Sequence, residues 1–266
     1  MLERALQDPK WASRSAYSLT LSIDLLIAVL FLVGQFNRNL LGQFSDYLTP
    51  LLALITLVMA ILVVREAGVR LNDRTSLVWF SFMLTLVFWF LFEVASSVYP
   101  IVLGVPTPYL SFADILGLAG YFPVMFGLLM LVWPFKEVYT NKKLRGILLL
   151  VLMLSAVLIA ILLTSVPQTE LPASVTNLAY SVLDVVALAI AIPALAIFLK
   201  GTFWRPLLFL VVGLIMALMA QVLFEVAAMK GSYYSGDLSD LIYDWGYLSA
   251  ILGFYLRRRQ LFTKSI

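Results

Sequence analysis

The chain contains no cysteine and no histidine. That removes disulfides, thiolate nucleophiles, Cys/His zinc sites and histidine-ligated haem together. General acid–base work is left to carboxylates and tyrosine. No Walker loop, dinucleotide fingerprint or nucleophile elbow is present, so the common tools of an enzyme are missing and no cofactor is expected. Charge is scarce as well. Only 12% of residues are charged, against about 25% in a soluble domain. A retinal Schiff base needs a lysine deep in a helix, whereas Lys200 and Lys230 fall at the ends of apolar runs.

Apolar surface takes the place of charge: 62% of residues are hydrophobic and the mean hydropathy is +1.00. A helix crosses a bilayer with roughly 20 residues. Eight apolar runs approach that length, at about 16–35, 47–64, 76–98, 111–133, 146–166, 174–199, 206–229 and 238–256. The first carries Asp24 and the last opens with Asp240 and Asp244; seven spans result if one of these lies in the interface. No small-residue cleavage site follows the first run, which therefore reads as a retained helix. The fold class expected is an all-α integral membrane protein of eight transmembrane helices.

The cations test this layout. Arg4, Lys10, Arg14, Arg65, Arg70, Arg74, Lys136, Lys142, Lys143, Arg145, Lys200, Arg205, Arg257, Arg258, Arg259 and Lys264 fall on one side, leaving Arg38 and Lys230 opposite. The positive-inside rule places the richer side, with both termini, in the cytoplasm. The expected location is the cell membrane, with the lipid bilayer as the first partner. The pI near 9.1 is explained as topology and implies no nucleic acid.

Two blocks repeat. Leu91-Phe92-Glu93-Val94-Ala95 recurs as Leu223-Phe224-Glu225-Val226-Ala227, and Asp114, Gly120, Tyr121 and Gly127 recur as Asp240, Gly246, Tyr247 and Gly253. A duplication follows: a four-helix repeat over 1–143 and a second over 144–266, inserted in parallel. Each holds a Glu on its third helix and an Asp on its fourth. Carboxylates at membrane depth are expensive and are functional candidates by default. Asp184 lies mid-run in helix six, and Asp240, Asp244 and Tyr247 share one helix face by their i, i+4, i+7 spacing. Tyr99, Tyr109, Tyr180, Tyr233, Tyr234, Tyr243 and Trp245 fall on the same outer side.

Each of these has a structural reading beside the functional one. Glu93 and Glu225 can hold helices in register through backbone or tyrosine hydroxyls. Asp114, after Ser111, suits a helix cap, and the aromatics partly form an interfacial belt. The glycines read as close-packing positions, and Pro123 and Pro193 as kinks. The functional reading is an outward-facing pocket of carboxylates and aromatic rings for a cation, since ring faces add about 1–2 kcal/mol each when desolvated.

Three stretches together resemble a known kind of module. Pro108-Tyr109-Leu110-Ser111-Phe112-Ala113-Asp114-Ile115-Leu116 with Gly120-Tyr121 and Gly127-Leu128, then Tyr180-Ser181-Val182-Leu183-Asp184, then Asp237 to Tyr247, are similar to patterns in multi-span amino-terminal sensory modules. Those modules stand ahead of bacterial diguanylate cyclases and histidine kinases. The resemblance implies a membrane sensory or ligand-binding role carried by Asp114, Tyr121, Tyr180, Asp184, Asp240 and Tyr247. It departs from them at Ser181, where proline is usual, and in carrying no output domain before Ile266. The expectation is therefore a free-standing receptor-like protein that docks a cytoplasmic or membrane partner. A cation or proton-coupled transporter and an accessory subunit of a membrane complex stand as alternatives.

Overall fold

Helix starts in this chain are closed by side chains. Asn37, Asp73, Ser111, Asn141 and Asp237 each accept hydrogen bonds from backbone N–H groups two or three residues on. Such caps satisfy donors that a helix cannot satisfy itself. The computed structural model describes residues 9–105, 108, 110–165, 171–199 and 205–264. Within them lie eight long helices: α1 Pro9–Gly34, α2 Arg38–Ala67, α3 Arg74–Val98, α4 Phe112–Val132, α5 Lys142–Ser165, α6 Leu171–Phe198, α7 Arg205–Met229 and α8 Leu238–Lys264. No strand occurs among the described residues.

Six helical segments are long and apolar enough to cross a membrane, drawn from α1 to α4, α6 and α7. The chain is a multi-pass membrane protein by that measure. Eight apolar runs are expected to span; among the described residues α5 and α8 fall outside the six. α5 runs up to residues that lie outside the described set. α8 is polar at both ends, with Asp240 and Asp244 in its first turns and Arg257, Arg258 and Arg259 near its last. It nevertheless packs against α7, α2 and α1, so its polar groups face protein. Two helices also outrun the apolar signal. α2 starts at Arg38, which brings Pro50 inside it, and α8 continues to Lys264. Hydropathy measures the hydrocarbon layer, not the helix.

The packing order closes on itself. α2 packs on α3, α3 on α4, α4 on α6, α6 on α7, α7 on α8, and α8 on α2, a ring of six helices. α1 lies outside against α8 and α2, and α5 lies outside against α6. Side chains fix the directions. Ser45 meets Asp240 and Thr49 meets Asp244 at one end, while Glu66 meets Arg258 at 2.8 Å at the other, so α2 and α8 run parallel. Phe209 with Ser249 and Asp24 with Trp245 set α7 and α1 against α8. The start of α1 and the end of α8 thus share one end of the bundle, with Arg65, Arg70, Arg74 and Arg205. α1 turns Leu19, Leu21, Leu25, Leu26, Leu32 and Val33 outward, each more than half exposed. A continuous apolar face of that extent suits lipid tails, not water.

Within the ring, α3–α4 and α7–α8 are the tightest pairs. A Cβ built on Gly246 would lie 2.9 Å from the Gly213 carbonyl oxygen, and one on Gly253 would lie 2.7 Å from that of Pro206. On α4, Gly120 faces Trp89 and Gly127 faces Ser81. Backbones approach closely where a side chain is missing, the usual device for helix association in lipid. Overpacking such a contact costs about 1–3 kcal/mol. Gly213→Ala and Gly253→Ala are therefore expected to lower the unfolding midpoint of purified protein by several degrees. Gly146→Ala, whose Cβ would meet nothing within 4 Å, should leave it unchanged or raised.

Candidate ligand site inside the helical ring

Two polar seams cross the ring near the end where α2, α4, α6 and α8 begin. In the first, Ser45 Oγ of α2 donates to Asp240 Oδ2 of α8 at 3.1 Å, and Thr49 Oγ1 donates to Asp244 Oδ1 at 2.8 Å. Both pairs step by four residues, as parallel helices permit. Asp240 also accepts from the Gly236 N–H at 2.7 Å and from the Tyr233 hydroxyl at 3.3 Å. Burial and the Asp240 and Asp237 carboxylates push the Tyr233 phenol well up, which keeps it a donor. In the second seam, Tyr121 of α4 donates to Asp184 Oδ1 of α6 at 2.5 Å, and the Tyr180 hydroxyl reaches the Asp114 carbonyl oxygen at 3.4 Å. The roles are exchanged: acids sit on α8 in one seam and on α6 in the other.

Glu93 and Glu225 are both buried, at 9% and 1% exposed. The recurrence of a Glu on one helix and an Asp on the next predicts that each Glu lies near that Asp, but neither hydrogen-bonds it among the described residues. Glu93 accepts from the Tyr247 hydroxyl of α8 at 3.4 Å, with Tyr243 beside it. Glu225 accepts from Ser181 Oγ of α6 at 2.8 Å. Asp114 is turned back on its own helix start: Oδ2 takes the Ser111 N–H at 2.8 Å and the Ser111 hydroxyl at 3.0 Å, a complete capping box. A carboxylate held that way has little left for a neighbour, so of the two repeated Asp positions Asp240 alone enters an interhelical seam through its side chain.

Among the described residues four buried carboxylate oxygens are left without a hydrogen-bond partner: Asp24 Oδ1 on the outlying α1, and Asp184 Oδ2, Glu225 Oε1 and Asp244 Oδ2 inside the ring. No lysine or arginine meets these acids; the ion pair found among the described residues is Arg258–Glu66, at the far end. An uncompensated charge in hydrocarbon costs about 2.5–3.5 kcal/mol or more. The acids do not gather as a metal centre either, since among the described residues no three of them are placed to hold a metal ion.

Two adjoining cavities lie between the seams. One is lined by Trp89, Phe92, Gly117, Tyr121, Tyr180, Gln221 and Tyr243, the other by Phe82, Leu86, Trp89, Leu214, Tyr243, Tyr247 and Phe254 among others. Trp89 donates its indole N–H to the Gly117 carbonyl at 3.2 Å, and its ring meets Tyr121 edge-on at 5.9 Å. Tyr121 and Tyr180 are 6.1 Å apart, Tyr243 and Tyr247 5.1 Å. Gly117 is what lets the Tyr180 hydroxyl lie against α4.

Of the residues expected at the site, Tyr121, Tyr180 and Asp184 come together on one side of the ring and Asp240, Asp244 and Tyr247 on the other. Glu93 joins the second group and Glu225 the first. Asp114 contributes its carbonyl. Tyr109 lies outside the described residues. Ser45, Thr49, Trp89, Ser181 and Gln221 were not anticipated. Ser45 and Thr49 had a faint signal, hydroxyls four apart at the start of an apolar run.

No family model, curated protein or solved structure matches the chain.

Tyr121 and Asp184 should be energetically coupled. A double-mutant cycle with Tyr121→Phe and Asp184→Asn is expected to give about 1 kcal/mol or more, toward the upper end of what interhelical hydrogen bonds reach in membranes. Additive effects in reversible unfolding would mean the two merely touch.

Proposed function

We propose that this protein is a receptor-like membrane protein that binds a small cation inside its helical ring, from the acid-rich end. The observation that carries this reading is the set of buried carboxylate oxygens without donors, on Asp184, Glu225 and Asp244, in a ring interior that contributes no cation. A proton, water or bound cation must compensate them, and the aromatic faces beside them favour a cation over an anion. The reading extends the resemblance to multi-span sensory modules. It takes all eight helices as spans of the cell membrane, arranged as two parallel repeats over 1–143 and 144–266 about an axis near the membrane normal. Both termini face the cytoplasm, following the Arg-rich end.

Transport of the same cation is the second reading. What favours it is the exchange of α2, α3 and α4 for α6, α7 and α8 around the ring. That leaves two tightly packed hairpins, α3–α4 and α7–α8, facing each other across the cavities. Repeats related in this way recur in transporters.

The absence of cysteine allows the orientation to be tested with single substitutions. Ser235→Cys should react with an impermeant maleimide in intact cells, and Asn141→Cys only after permeabilisation; the opposite pattern inverts the orientation. For binding, the unfolding midpoint of purified protein should rise with tetramethylammonium or another small cation and not with anions. Glu93→Gln should lose that rise. Stabilisation by anions alone, or by nothing, would leave the carboxylates as packing groups. Uptake of the cation into proteoliposomes, abolished by Glu93→Gln, would select transport over reception.

A further inference from the structure

The two cavities differ in kind, and the difference narrows what fits them. Where they adjoin, they share Trp89, Ala217 and Tyr243. Above that junction the lining is polar and aromatic, with Tyr121, Tyr180 and Gln221. Glu93 stands one helical turn along α3 from Trp89, so the two share a face. Its carboxylate holds the hydroxyls of Tyr243 and Tyr247, which line the other cavity from behind.

That other cavity runs toward the Arg-rich end between α3, α4, α7 and α8, and its walls are Phe82, Leu86, Val124, Leu210, Leu214 and Phe254. Thr85 adds the one side-chain hydroxyl of this deeper part, and that hydroxyl is already donated to the Ser81 carbonyl at 3.0 Å. Such a space has no partners to order water. An apolar group fills it at a gain, whereas a hydrated metal ion does not.

We propose, resting on the cation reading above, that the ligand is a monovalent organic cation with an apolar body: an alkylamine or alkylammonium. Its charged head lies among Trp89, Tyr243 and Tyr247 within the field of Glu93, and its chain points down the apolar cavity toward Phe82 and Phe254. Ring faces take a cation on their negative quadrupole, and Glu93 is the carboxylate that shares a helix face with Trp89. Among the described residues no three acids are placed to hold a metal ion together, which does not favour a divalent ion. The apolar walls supply selection by length.

The test uses the full chain in lipid nanodiscs, titrated calorimetrically with ethyl-, butyl- and hexylammonium, tetramethylammonium, hexanol and hexanoate, with empty nanodiscs subtracted. Affinity is expected to rise about three- to fourfold per methylene from ethyl- to hexylammonium, the worth of a buried CH₂. Hexanoate should not bind. Glu93→Gln should weaken hexylammonium at least tenfold while leaving hexanol unchanged. Leu214→Phe, which narrows the apolar cavity beyond the junction without touching charge, should flatten the length dependence and keep tetramethylammonium binding; it also serves if Glu93→Gln fails to fold. An affinity independent of chain length in the parent protein overturns this assignment while the cation reading stands. Failure of every cation, tetramethylammonium included, overturns both. Equal binding of hexanol and hexylammonium would make the cavity a lipid-filled void and also overturn it.

Discussion

Inside a bilayer no water is at hand, so each carboxylate oxygen must find a donor on another helix or stay unsatisfied. In this ring the donors are hydroxyls. Ser45, Thr49, Ser181, Tyr121, Tyr233 and Tyr247 each donate a hydrogen bond to an acid, and among the described residues no lysine or arginine forms an ion pair with these acids. That constraint locates the seams. α2 is tied to α8, and α4 to α6. These are the junctions where the two halves of the chain meet: the α2–α8 contact joins the early half to the last helix, and α4–α6 joins it across α5.

A different device holds each half together. The α7–α8 pair is built on backbone contact at Gly213, Gly246 and Gly253, and the α3–α4 pair on Gly120 and Gly127 under Trp89 and Ser81. Close-packed backbones leave no slack. Hydroxyl–carboxylate pairs can exchange partners with a ligand or a proton at modest cost. The division therefore puts stiffness within the hairpins and adaptability between them. It also sets the cavities where they are, along the line that the seams flank and the tight pairs face.

Much of this was legible in the residues, and what was not has a physical reason. Helix number and rough extent follow from apolar runs, because burying backbone hydrogen bonds in lipid leaves helices as the economical solution. The glycines at 120, 127, 246 and 253 announced themselves by their seven-residue spacing as packing positions, which is where they lie. Helix ends were less legible. Asn37 starts α2 well before hydropathy rises, and α8 runs through three arginines, because caps and snorkelling side chains are invisible to an apolar window. Partners of the acids were least legible. Repeats reveal equivalent positions, but not which helix stands across the ring from each, so Glu93 finds Tyr247 rather than Asp114. A hydroxyl such as Ser45 or Thr49 looks like any other small residue until its neighbour is known.

The exchange of roles between the seams sets apart the two recurring sequence blocks. If both halves had kept identical chemistry, α8 and α4 would each present two acids to α2 and α6, and the ring would hold matching charges on both sides. Instead position 118 is Leu where position 244 is Asp, and Asp184 stands on the helix opposite. Each seam keeps an acid and a hydroxyl, but they point in opposite senses across the ring. Glu225 with Ser181 and Asp184 forms one acidic flank, and Glu93 with Asp240 and Asp244 forms the other, with Tyr180, Tyr121 and Tyr243 between. The two flanks differ in their neighbours, so a single charge entering the interior meets two unequal environments. The flank beside Tyr243 and Tyr247 opens onto apolar walls; the flank beside Tyr180 opens onto the polar cavity with Gln221. A symmetric ring would offer two equivalent places and no direction. The differences between the two flanks give the interior a polar side and an apolar side.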